Sequence, residues 1–322
     1  MCKPSYFPGW KTTACLLIFS VIGFSAALAG SLQADLSTEI GIISGTTDYS
    51  VGGGIATAEG RYSARFPLSR LVFPIDAYLF TISAGLTWND RLSGSFSWSR
   101  NVTDEPGKMR DYDWEASSGR LYIYSESDLD MTAETVSGEI RYAVFQLDLD
   151  QYSAFFRQGD RWHFLVGVHY LYQQFDFNAY DTRQTYPGQN IASDFVPGRT
   201  LAYAVDYLIP LVKLDTAYMA AGGSSLELSF GYSPYTRAAD KDRHLLRDMR
   251  SEADCKGTAF MISCNLTFRF SKHWFAALRL SHLEIEADGT SRAVIDNEWD
   301  HTIDTILESR QSLAALRIGA GF

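Results

Sequence analysis

Apolar and polar residues alternate one by one over long stretches of this chain, a period of two that fits a strand with one apolar and one polar face. The clearest stretch runs from Thr258 to Phe270. Phe260, Ile262, Cys264, Leu266, Phe268 and Phe270 share one face; Ser263, Asn265, Thr267 and Arg269 share the other. Tyr78, Phe80, Ile82, Leu86 and Trp88 oppose Thr81, Ser83 and Thr87 in the same way, and Val136, Ile140, Tyr142 and Val144 oppose Thr135, Ser137, Glu139 and Arg141. Rows from Trp162 to Tyr172 and from Leu226 to Tyr232 repeat the pattern. Ten strands are predicted, over 34–46, 69–88, 92–100, 131–147, 161–177, 199–214, 223–236, 255–270, 274–287 and 308–322.

The composition agrees: 18 Tyr and 20 Phe beside only 9 Pro favour strands. No apolar run in the body reaches the ~20 residues of a membrane-crossing helix. A chain of this kind that crosses a membrane does so as a barrel, whose closure leaves no unpaired sheet edge in lipid. A soluble β-sandwich would alternate too, but here the aromatics lie on the presumed outer face and the polar residues inside. Asn89-Asp90-Arg91 and Ser271-Lys272-His273 read as tight turns, whereas 101–130, 178–198, 237–254 and 288–307 read as long polar loops. Short turns on one rim and long loops on the other predict an all-β fold, a ten-stranded antiparallel transmembrane β-barrel with long extracellular loops. Beyond Ser281 the apolar parity switches to Leu283 and Ile285, which requires a bulge or a strand leaving the lipid.

Both ends fit export. Lys3 and Lys11 precede an apolar stretch from Ala14 to Leu28 and a small-residue site at Ala27-Leu28-Ala29, so residues 1–29 are expected to be a signal peptide and 30–322 the barrel. Leu316, Ile318, Ala320 and Phe322 alternate with Arg317, Gly319 and Gly321, similar to the closing strand of bacterial outer-membrane barrels. Cys255 and Cys264, on opposite faces of one predicted strand, are expected to be free thiols. With 28 basic against 38 acidic residues the net charge is −10, which argues against a nucleic-acid partner.

Two short motifs carry chemistry. Asp111-Tyr112-Asp113-Trp114 precedes the fourth strand and Asp240-Lys241-Asp242-Arg243-His244 follows the seventh, so both are predicted in loops on one rim, nearly facing each other. Asp242 and His244, two apart on extended chain, point the same way. A carboxylate on one imidazole nitrogen fixes the tautomer and leaves the other to take a proton from water. Asp111 and Asp113 are placed to hold that water. Neutral His244 as the base predicts a pH optimum near or above neutrality. Solvated acidic loops or a loose calcium site are the plainer readings of either motif alone.

These residues are where the chain resembles the omptins, ten-stranded outer-membrane proteases of Gram-negative bacteria. The resemblance also runs through Leu68-Ser69-Arg70-Leu71, the Gly-Leu-Thr-Trp ending at Trp88, Ser117-Ser118 and Gly231-Tyr232 to the last strand. It implies an aspartic-type endopeptidase with Asp111, Asp113, Asp242 and His244 as the catalytic set, water as nucleophile, Asp240 receiving a basic substrate side chain, and no cofactor. Its partners would be a peptide or protein substrate and outer-membrane lipid, with lipopolysaccharide possible. The sequence departs from the family after the first strand, where Tyr49 stands in the place of a second specificity acid and Asp48 is one position early. Ser127 matches a central serine, Ser125 replaces a neighbouring acid, and Gln174 stands among positions where the family grips lipopolysaccharide with basic residues. The alternative is a non-enzymatic surface barrel, for adhesion or envelope structure, that keeps the fold without the activity. A channel is a third reading.

Overall fold

The computed structural model describes residues 32–152, 155–245, 248–295 and 299–322, so the predicted signal segment lies outside the described residues. Every regular element among them is a strand: β1 (Leu32–Thr57), β2 (Gly60–Ser63), β3 (Ser69–Pro74), β4 (Ala77–Trp88), β5 (Leu92–Asn101), β6 (Gly107–Trp114), β7 (Leu121–Asp148), β8 (Arg161–Thr185), β9 (Asp194–Met219), β10 (Ser225–His244), β11 (Met249–Arg269), β12 (Trp274–Ile295) and β13 (Trp299–Gly321). All pairings are antiparallel. The order runs β7, β8, β9, β10, β11, β12, β13, and β13 pairs with β1 from Asp35 opposite Gly321 to Thr57 opposite His301. The result is a barrel-like sheet.

The free side of β1 takes β4, then β3, and at its end β2. Leu32–Ile43 pairs with β4, and Thr46–Val51 pairs with β3. On the other side of this gap β5 pairs with the lower part of β7 and β6 with its upper part. The predicted single strand 69–88 is therefore two, broken between Pro74 and Ala77, where Pro74 lacks the N–H to continue the ladder.

The predicted long loops are corrected by the same pairings. Most of 101–130, 178–198, 237–254 and 288–307 is strand, and β10 and β11 stay paired as far as His244 opposite Met249. These extensions were hidden because their polarity is inverted. In the lower part of the sheet the outward side chains are apolar, such as Leu36, Ile40, Val212, Leu214, Phe268 and Ile318, and form a belt suited to lipid. Inside that belt the lumen is charged: Glu39 accepts from Arg279 at 2.7 Å and Arg317 at 3.2 Å, Lys213 Nζ meets Glu139 at 2.8 Å, and Arg141 meets Glu227 at 2.7 Å. Beyond the belt the lumen has an apolar core of Phe73, Phe175, Phe177, Tyr203, Tyr207 and Leu307, with polar side chains set around it. The parity change on β12 is the strand leaving the lipid: its register with β11 and β13 is unbroken, while Leu283 and Ile285 turn into this upper core. Cys255 is buried inside, Cys264 is half-buried at the opposite parity, and both are free thiols.

Candidate active site

Asp240, Asp242 and His244 reach the lumen because β10 contains a bulge. Between Ser233 and Thr236 one extra residue intrudes relative to β11, and the register with β9 shifts at the same place. Below it the even positions Leu226, Leu228, Phe230 and Tyr232 face outward; above it the even positions Ala238, Asp240 and Asp242 are buried inside. An inserted residue turns every later side chain to the other face. Pro234 in the middle of the strand was the available sequence signal of this bulge.

Above the bulge, Asp242 Oδ2 lies 3.0 Å from His244 Nε2; the carboxylate is almost wholly buried and the imidazole about one-fifth exposed. The pair forms as the spacing of two predicts, although on a strand and not in a loop. Asp240 is buried with both oxygens engaged: Oδ1 accepts from the Ala253 N–H at 2.9 Å and Oδ2 from the Tyr203 hydroxyl at 3.2 Å. Burial pushes its carboxyl up to about 7, and the nearby Asp242 charge adds to the rise.

The facing acids lie on β6. Asp111 and Asp113 share the parity of the buried Met109 and point inward, while Tyr112 and Trp114 stack outside with ring centres 6.0 Å apart. Leu71 pairs with Asp111, Asp111 with Ser125, and Tyr49 with Leu71, so these four positions form one transverse row.

Side chains crossing the lumen join this row to β10. The Tyr49 hydroxyl lies 3.4 Å from Ser251 Oγ and 3.4 Å from Ser291 Oγ, and Ser251 is the strand partner of Asp242. The Phe73 ring stacks on Tyr203 at 4.5 Å, and Tyr203 donates to Asp240. Tyr49 and Tyr203 thus link the walls that carry the two motifs, and Phe73, Tyr203 and Phe177 stack between them. Ser127, also inward, bonds Thr182 at 2.7 Å.

The first-strand offset has a structural outcome. Tyr49 faces the lumen, and Asp48, one residue earlier, pairs with Arg70. The Asp48 carboxylate holds the Arg70 guanidinium above its ordinary value. Tyr203, Ser251 and Ser291 were not singled out from the sequence: Tyr203 lies on a predicted strand, but Ser251 and Ser291 fall in stretches read as polar loops.

An antiparallel sheet with an apolar belt, a charged lower lumen and an acid–histidine cluster at its upper end defines an outer-membrane-type barrel. The omptin family model matches residues 34–315, and the chain belongs to the omptin family. It is a β-barrel of the bacterial outer membrane, consistent with its belt. Its fold is similar to the crystal structure of the outer membrane protease OmpT from Escherichia coli, at TM-score 0.73 and 16% identity over 92% of this chain and 99% of that one. The translocator domain of the autotransporter NalP from Neisseria meningitidis also aligns, over 96% of this chain and 95% of that one, at 9% identity and a TM-score of only 0.35. No curated protein matches the chain.

Proposed function

We propose that the protein is an endopeptidase of the cell surface, exported by residues 1–29 and folded as a closed barrel of ten strands. The pairings support that count: along Leu32–Val51 of β1, one strand from β3 or β4 and one from β5 or β6 join β1 and β7–β13. The site opens to the cell exterior. Asp242 holds one imidazole nitrogen, and the opposite nitrogen of His244 takes a proton from water as that water attacks the peptide carbonyl. Asp111 and Asp113, from the facing wall, orient the water. His244 then returns the proton to the leaving amine. General acid–base catalysis of this kind contributes about 10²–10⁴-fold.

The observation that carries this reading is the 3.0 Å contact between Asp242 and His244, on the inner face of the barrel-like sheet that the inward-facing Asp111 also lines. The omptin membership gives it a chemical precedent. Protein refolded in detergent, with and without lipopolysaccharide, should cut members of a fluorogenic peptide library. His244→Ala should lower kcat by about 10²-fold or more. Cleavage unchanged in that variant ends the mechanism, even if cutting is real.

A second reading, a surface barrel without activity, draws on one observation. Tyr49 and the doubly bonded Asp240 occupy the part of the mouth where a cationic side chain would enter.

A further inference from the structure

Tyr49 has no task in the proposed chemistry, yet it lies beside the reacting groups. It is 5% exposed, and its ring packs on Tyr203 at 5.9 Å and an interplanar angle of 51°. Its side chain starts on β1, passes over the inner face of β13, and ends against Ser251 on β11 and Ser291 on β12. Because Ser251 is paired with Asp242, the phenol fills the lumen immediately next to the Asp242–His244 pair. The space below is closed by the packed upper core. A substrate residue lying along this wall meets an aromatic ring, and the carboxylate behind that ring, Asp240, already has partners on both oxygens.

We propose that Tyr49 is a specificity-determining residue: it fills the recess beside the catalytic pair, so the peptide bond cut is flanked on that side by a small residue, glycine, alanine or serine, and not by a large or basic one. This inference rests on the peptidase reading above. Its basis is volume. A pocket filled by a rigid ring excludes side chains by overlap, and removing a ring from a packed apolar site leaves a void able to take an aromatic ligand.

Two measurements test it. In peptide libraries, the wild-type protein should prefer small over aromatic or basic residues at one position flanking the cut, by about tenfold or more in kcat/KM. Tyr49→Ala should erase that preference and accept large apolar residues there. Tyr49→Phe keeps the ring without the hydroxyl and should retain the small-residue preference. Equal cleavage of small and bulky residues by the wild-type protein, or an unchanged profile in Tyr49→Ala, overturns the proposal while leaving the peptidase reading intact.

The second measurement needs no turnover. In one detergent, 4-fluorophenol should bind Tyr49→Ala and not the wild-type protein, read as a shifted or broadened ¹⁹F resonance. Absence of that difference shows that the recess is not filled by Tyr49 and overturns the proposal. No cleavage by any of the three proteins instead defeats the peptidase reading, and the specificity role with it, whatever the phenol does.

Discussion

Along β11 the outward face reads Phe268, Leu266 and Ile262 within the belt and Lys256, Asp254 and Glu252 beyond it. The inward face reads Asn265 and Ser263 within the belt and Ala259, Cys255 and Ala253 beyond it. No register shift interrupts the pairing of this strand with β12. One continuous ladder thus serves two regions of opposite polarity, and the difference follows from what surrounds each. Lipid demands an apolar exterior and leaves the lumen to paired charges; water demands a polar exterior and drives the apolar residues inside. The active-site candidates stand in the second region, on a packed aromatic floor that can hold side chains in fixed positions.

Substitutions that exchange the two environments test this comparison. The largest effect is expected from Glu39→Leu, which leaves Arg279 and Arg317 in the lower lumen without the carboxylate they share; stability should fall by about 3–5 kcal/mol. Urea unfolding in lipid vesicles, followed by tryptophan fluorescence, measures it. Leu266→Lys puts a charge on the belt and should cost about 2–4 kcal/mol in the same assay. Asp240 gives a pH-dependent effect, smaller than these over any one pH unit. Burial raises its carboxyl from 3.8 to about 7, so between those values the folded chain keeps a proton that the unfolded chain has lost. Stability therefore falls as pH rises through that window, by at most about 1.4 kcal/mol per pH unit, and levels off above it. Asp240→Asn should flatten this slope; an unaltered slope would assign it to other groups. The smallest effect is expected from Lys256→Leu, on the same strand and face as Leu266 but beyond the belt, within about 0.5 kcal/mol of zero. A large loss there would erase the distinction between the two regions.

The lipid-facing half of the fold was legible in the sequence because large residues such as Leu266 and Phe268 alternate with the polar Asn265 and Thr267. The upper half was not. Over 249–257 the polar residues Arg250, Glu252, Asp254 and Lys256 do alternate, but with Ser251, Ala253 and Cys255, which are too small to mark a buried face. Such a stretch looks like a polar loop until its strand partners are known. At the candidate site, the Asp242–His244 contact was readable, because it depends on a spacing of two residues; Tyr49 drew notice only through the family resemblance. The crossing from Tyr49 to Ser251 was not readable, since it joins positions 202 residues apart in the chain.

The bulge on β10 also has a consequence of height. His244 lies nine residues past Tyr235, the last exposed aromatic of the belt on that strand. At about 3.3 Å per residue and a tilt of about 45°, the imidazole stands roughly 20 Å above the end of that belt. On the proposed peptidase reading, a bond lying flat on the bilayer is out of its range, and the chains it would meet are those that rise from the surface or arrive from the medium, threaded over the open end as extended polypeptide.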